Sequence, residues 1–288
     1  MLTIRFEPLR NNTTFAARVH GVDLAAGIGP AEVDTLEEGL ARHGVLIFPD
    51  QFINDDQQQA FIQQFGPPHQ AVLKEVASNH PHFYDIGTTD YAGNPREKGS
   101  VAHQYMLANL LWHTDGAQNQ PPIRLTALHA RVRPPAPPPT EYADMHAAWE
   151  TLPADMQRSL EDLVVEHSIY RSREQMGMKM SDFSEETLRS RKPVYHPMVR
   201  INPRTGWKSL YLASHASHVV GWPLEKGRKL VEELIAHATQ PQFVYSHDWK
   251  LNQLVMWDDS WTMHRATPYE GSHPRHLRWC AVRELEAV

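Results

Sequence analysis

The stretch Trp112-His113-Thr114-Asp115 decides how this chain is read. As a strand it turns residues i and i+2 to the same face, so His113 and Asp115 can reach one ion together. One imidazole and one carboxylate are two-thirds of the 2-His-1-carboxylate set, which holds Fe(II) on one side and leaves the other side open. The third ligand has to come from a different strand. Trp261-Thr262-Met263-His264-Arg265-Ala266 offers one, 151 residues after His113. Arg275 and Arg278 follow it, and an arginine grips a carboxylate with two parallel hydrogen bonds.

Taken alone, His-x-Asp is a weak motif in a chain with 18 histidines. Three other pairs compete with it. His80 and His82 lie in an irregular stretch and read as a solvated loop. His273 and His276 flank Arg275 and read as polar surface. His215 and His218 follow a strand, where edging a cavity and a structural role are equally open.

Outward from these motifs, the chain reads as strands interrupted by helices. Gly29-Pro30 opens a helix that Gly44 closes, with Pro30 suited to a first helical position. Val45-Leu46-Ile47-Phe48 follows as a short buried strand. Asn54 caps a second helix, with Gln57 in capping-box position and Gly66 at its end. Residues 67–100 are irregular, as in a lid or binding loop. Strand-like runs then cover 124–130, 194–201, 207–212, 243–249, 254–257 and 277–282, with a turn at 202–206. Helical spacing predicts helices over 145–163 and 224–238. The prolines of 134–139 read as a stiff surface loop rather than a boundary. The pattern predicts a mainly β chain with flanking helices, an α+β sandwich or barrel forming one domain over residues 1–288.

Composition narrows the function classes. Apolar residues make up 41% of the 288, enough for a sizeable core. A mean hydropathy of −0.52 and the lack of a long uncharged apolar run argue against a membrane span. Nucleic-acid binding needs a basic footprint, and here the formal charge is −6 with no lysine/arginine block. The first residues show no basic region followed by an apolar stretch. The single cysteine, Cys280, cannot form an internal disulfide. Both features fit a reducing cytoplasm.

Several segments form a linked set: Ser214-His215-Ala216-Ser217-His218-Val219, the run from Ala236 to Tyr245, Leu254-Val255-Met256-Trp257-Asp258 and His264-Arg265-Ala266. Phe65-Gly66-Pro67 and the run from Tyr142 to Ala148 join them. Over most of the chain these resemble the taurine dioxygenase and 2,4-dichlorophenoxyacetate dioxygenase family, most closely its 2,4-dichlorophenoxyacetate branch. The resemblance implies a double-stranded β-helix, a jelly-roll core with the iron at its mouth. It implies Fe(II) on His113, Asp115 and His264, with 2-oxoglutarate as cosubstrate and O2 as oxidant. Thr140 and Arg275 match the positions that bind the 2-oxoglutarate carboxylate. Asn109 matches a polar residue near the substrate, and Lys74 a lysine that meets the substrate acid.

Three departures from the family pattern stand out. Pro137-Pro138-Pro139 replaces the usual Gly-Gly-Asp, and proline's fixed φ makes that loop run differently. Trp257-Asp258-Asp259-Ser260 replaces Trp-Asp-Asn-Arg, which changes the support expected around the distal histidine. Trp279 stands where a substrate-binding arginine often follows Arg275 by four. Arg278 is the neighbouring candidate for that contact, although in a strand it points to the opposite face.

The expected reaction hydroxylates a small organic acid and gives succinate and CO2. An aromatic or aryloxy carboxylate would undergo ether cleavage. A sulfonate or other aliphatic acid is the alternative within the family. From other classes, a zinc hydrolase could use the same three ligands, and an inactive jelly-roll binding protein would keep the fold alone. Neither nucleic acid nor membrane is an expected partner. Barrel-flanking helices leave room for a homo-oligomer.

Overall fold

Along the strand Val45–Phe48, Leu46 and Phe48 enter one hydrophobic core while Val45 and Ile47 enter another. The same alternation runs through Ile123–Val132, Leu254–Asp258 and His276–Arg283. Ala127, Met256, Cys280 and Val282 face one way, and Leu128, Trp257, Trp279 and Ala281 the other. Successive strand side chains point to opposite faces, so a sheet made of such runs is covered on both sides.

The computed structural model describes residues 3–71, 79–90, 92–183, 185–269, 271 and 273–285. It joins these runs in a seven-stranded sheet ordered Arg5–Pro8, Ala17–His20, Val45–Phe48, Leu254–Asp258, Ile123–Val132, His276–Arg283, Tyr84–Gly87. Neighbours are antiparallel except Ala17–His20 with Val45–Phe48. One face packs under the helices Pro30–His43 and Asp55–Ile62 through Leu36, Leu40, Phe61 and Ile62. The other face meets a smaller sheet, Val244–His247, Thr140–Asp144 and Thr262–Ala266, through Tyr142. Behind that small sheet, Ala143 and Met263 join Val231, Leu234 and Ala238 of the helix Leu224–Ala238. Two sheets around one interior, with helices on both outer sides, make the jelly-roll architecture expected. Among the described residues no helix is long and apolar enough to cross a membrane.

Local chemistry explains where elements start and stop. The Asn54 side chain accepts from the Gln57 N–H at 2.9 Å, and the Gln57 side chain accepts from the Asn54 N–H at 2.9 Å. The helix expected over 145–163 divides into Met145–Glu150 and Ala154–Leu160. Pro153 has no N–H to extend the first, and it stands at the N-cap of the second. The run 194–201 also divides, at Met198, into strands of different sheets. The irregular stretch 67–100 contributes an edge strand, Tyr84–Gly87, too short to show a period.

Candidate active site

Register on the small sheet sets the site. Thr140 pairs with Ala266 and Tyr142 with His264, so these side chains share one face. It is the face on which Tyr142 meets the interior, and His264 therefore points inward. His113 is not in a strand. It forms an isolated antiparallel bridge with His264, each N–H bonding the other's carbonyl, at 2.9 and 2.7 Å. Asp115 begins a turn that continues through Gly116 at φ +63°, where an added Cβ would lie 2.6 Å from Ile123. A bridge and a turn thus replace the strand expected over 112–115, and the two groups still converge.

His113 Nε2 lies 3.7 Å from Asp115 Oδ1, and His264 Nε2 lies 3.8 Å from Asp115 Oδ2. A ligand atom from each of the three falls within 4.8 Å of the others. At metal–ligand lengths of about 2.1 Å, groups this close can share one ion. The donor chemistry suits a divalent cation. His113 Nδ1 sits 2.7 Å from the Leu111 carbonyl, so it carries its proton there and leaves Nε2 a lone pair. Burial, with His113 adding to it and Asp115 opposing, pushes His264 down to about 3, which keeps it neutral. Burial pushes the Asp115 carboxyl up, but His264, His113 and hydrogen bonds from Trp279 and Thr126 bring it below its usual range. Trp279 Nε1 donates to Asp115 Oδ2 at 2.9 Å, and the Thr126 hydroxyl lies 3.2 Å from the same oxygen.

Asp259, one of the departures from the family pattern, stands behind Asp115. It accepts from the Asp115 backbone N–H and from the Trp257 indole, both at 3.0 Å. Burial and the Asp115 charge push Asp259 well up, which favours its neutral acid. The changed support expected around the distal histidine thus bears on Asp115.

Arg275 enters the same cavity from the large sheet, in line with the inward-facing Leu277 and Trp279. Its N–H donates to Thr88 Oγ1 at 2.9 Å and its carbonyl accepts from the Thr88 N–H at 3.0 Å. Gly87 permits that approach, since a Cβ there would stand 2.0 Å from the Arg275 carbonyl oxygen. The side chain is buried and its Nε has no hydrogen-bond partner among the described residues. Burial, opposed by Tyr142 and Tyr269, lowers its pKa to about 10, so it stays charged at neutral pH. Thr140 lines the cavity too, its hydroxyl accepting from Trp249 Nε1 at 2.9 Å.

The remaining expectations scatter. Asn109 lines the cavity, and its carbonyl accepts from the Ala266 N–H at 2.7 Å. Lys74 lies outside the described residues. Arg278 is not brought to the site. Strand parity sends it to the helix-covered face, where it binds Asp85 at 2.6 Å, Asp55 at 2.5 Å and Asn79 at 3.1 Å. Of the competing histidines, His215 lines the cavity, His218 faces Glu166 at 3.8 Å, and His276 binds Asp85 at 2.7 Å. Sequence reasoning missed the Trp279–Asp115 bond, although the departure at position 279 marked the place. It also missed Arg173, which lines the cavity without belonging to any motif.

Comparison with known proteins agrees with this geometry. The family model for taurine catabolism dioxygenases, the TauD, TfdA family, matches residues 5–281. The chain is 38% identical over 268 residues to an alpha-ketoglutarate-dependent 2,4-dichlorophenoxyacetate dioxygenase of Cupriavidus pinatubonensis, spanning 92% of this chain and 93% of that one. It is 29% identical over 272 residues to an (S)-phenoxypropionate/alpha-ketoglutarate-dioxygenase of Sphingobium herbicidovorans, spanning 93% and 91%. The crystal structure of AAD-2 in complex with Mn(II) and N-oxalylglycine superposes with a TM-score of 0.89 at 38% identity, covering 99% of this chain and 98% of that one. The chain belongs to the TauD/TfdA family of Fe(II)- and 2-oxoglutarate-dependent dioxygenases.

Proposed function

We propose that the chain hydroxylates a small aryl- or aryloxy-substituted carboxylic acid, with His113, Asp115 and His264 as the iron ligands. One observation carries the reading: a buried arginine whose Nε has no partner among the described residues shares a cavity with three convergent groups that could hold a metal ion. A zinc hydrolase has no use for such a grip. Here Arg275 and Thr140 hold the far carboxylate of 2-oxoglutarate. Because Trp249 donates to the Thr140 oxygen, the hydroxyl hydrogen is left free to donate to that carboxylate. Trp279 and Thr126 fix the rotation of the Asp115 carboxylate. With Fe(II) and 2-oxoglutarate bound, one oxygen atom of O2 enters succinate and the other the hydroxylated product, with loss of CO2.

Substrate class is read from the walls. Tyr84, Tyr105, Ile86 and Trp279 line the cavity and offer flat apolar surface to an aromatic ring. The relatives named for 2,4-dichlorophenoxyacetate and (S)-phenoxypropionate support the same class. Asn109 serves as a polar contact for the substrate, and the family resemblance offers Lys74, outside the described residues, as a cation for its acid group. Hydroxylation of a carbon that bears an ether oxygen gives a hemiacetal, which separates into a phenol and an aldehyde or keto acid. The test is O2 uptake and succinate release from 2-oxoglutarate with a panel of aryloxy, aryl and sulfonic acids, with added Fe(II) and with EDTA. Iron-dependent succinate matched by phenol is the expected result. Iron-dependent turnover with sulfonates alone would reject the aryloxy class, and none with any acid would reject the function.

A further inference from the structure

Trp279 leaves this cavity without a cation at a position where one is expected, and its N–H is committed to Asp115. Arg278 is held by carboxylates on the far face of the sheet. Apart from Arg275, the arginines lining the cavity are Arg173 and Arg191. Arg173 belongs to the helix Ile169–Glu174, with its guanidinium carbon 5.4 Å from the centre of the Tyr105 ring. Among the described residues, Glu174 and Glu232 beside that helix are already engaged. Arg171 takes Glu174 at 2.8 Å and Glu232 at 2.6 Å, and Arg228 takes Glu174 at 3.2 Å. Among the described residues, none forms an ion pair with Arg173 or Arg191, and Asp115 is the one carboxylate lining the cavity. Burial lowers the Arg173 pKa, with Tyr105 opposing. A partly buried cation without a counter-charge is costly until an anion joins it.

Arg191 also lines an adjoining cavity, together with Arg189, Lys192 and Arg283 and no described carboxylate. A chain with a formal charge of −6 therefore presents a cationic path into its interior. Such a path concentrates anions and speeds their entry.

We infer that Arg173 anchors the acid group of the substrate, with Arg191 receiving it at the cavity mouth. The inference rests on the substrate reading above and names the residue that recognises the acid. Tyr105 supports the guanidinium from below and leaves its fork free for a carboxylate.

The test uses the full chain loaded with Fe(II) and 2-oxoglutarate, with 2,4-dichlorophenoxyacetate and its uncharged methyl ester as probes. Arg173→Gln raises the KM for the acid by about tenfold to hundredfold, the range for losing a charge-assisted bond. The KM for 2-oxoglutarate and the KM for the ester do not follow it. Arg173→Lys keeps the charge, loses the fork and recovers part of the affinity. Should Arg173→Gln fail to fold, the acid-to-ester KM ratio of Arg173→Lys decides the matter. An unchanged KM for the acid, an equal rise for the ester, or the same loss in Lys74→Gln instead would overturn the anchor. A wild-type chain that turns over no acid sinks the substrate reading and the anchor together. One that turns over the acid with Arg173→Gln indistinguishable sinks the anchor alone.

Discussion

Arg278 lies in the strand His276–Arg283 of the large sheet and Arg275 just before it; their side chains take opposite faces, and both are buried. Arg278 finds Asp55, Asp85 and Asn79 waiting, and its donors are bonded within the fold. Among the described residues Arg275 forms no ion pair, and its buried Nε has no hydrogen-bond partner. Burial does not tell the two apart; completeness of hydrogen bonding does. A buried cation whose counter-charges are built in holds the fold together, whereas one left incomplete marks where a ligand belongs.

The widest gap between them is expected in stability. Arg278→Met leaves the Asp85 carboxylate, which is 1% exposed, with His276 at 2.7 Å as its remaining side-chain partner, and should cost about 3 kcal/mol in urea unfolding. Adding Asp85→Asn should return part of that loss, since the undercompensated charge is gone. A smaller loss from Arg278→Met than from Arg275→Met would break the comparison. Arg275→Met should instead leave the unliganded chain as stable as wild type or more so. It should raise the KM for 2-oxoglutarate about hundredfold, the upper range for losing charge-assisted hydrogen bonds. Stabilisation by N-oxalylglycine in a thermal melt should vanish with it.

A smaller effect tests the inward face again. Trp279→Phe keeps a ring beside Tyr84, whose centroid lies 5.0 Å away, and removes only the donor to Asp115. Mn(II) titration should show an affinity about tenfold weaker, as for other bonds to metal ligands from residues outside the set. The smallest effect lies on the outward face. His129 is the register partner of Arg278, and burial, then Arg131, pushes it down to about 4. Its folded pKa lies below the unfolded one, so its contribution is present above pH 6.5 and is lost as pH falls towards 4. Between pH 7.5 and 6, His129→Gln should lose on the order of 1 kcal/mol less than wild type. Equal slopes would show that His129 takes up its proton without hindrance.

Local grammar is legible in the sequence itself. The Asn54–Gln57 box, the helix over 224–238 and the alternation along 254–258 each depend on neighbours a few residues apart. Motif spacing pointed to the three convergent groups and family resemblance strengthened that reading, while strand parity predicted that Arg278 would face away from Arg275. The bridge between His113 and His264 had no such signal, because a single residue pair has no period. The role of Trp279 depends on where a distant turn delivers Asp115. That Arg173 lacks a counter-charge follows only once Arg171 and Arg228 are seen to hold Glu174 and Glu232. Partnership is a tertiary property. It is the part that sequence spacing leaves out.

Two peptide hydrogen bonds fasten the imidazoles of His113 and His264 side by side, and neither bond depends on an ion being present. Loading such a site is a matter of filling a mould, and emptying it does not require the chain to come apart. Imidazole and carboxylate donors follow the general affinity order of the first-row cations, in which Fe(II) stands near the weak end, so metal availability decides which ion is bound. The ion found in a purified sample will then reflect what the growth medium supplied. Specific activity becomes a record of metal history as much as of protein quality.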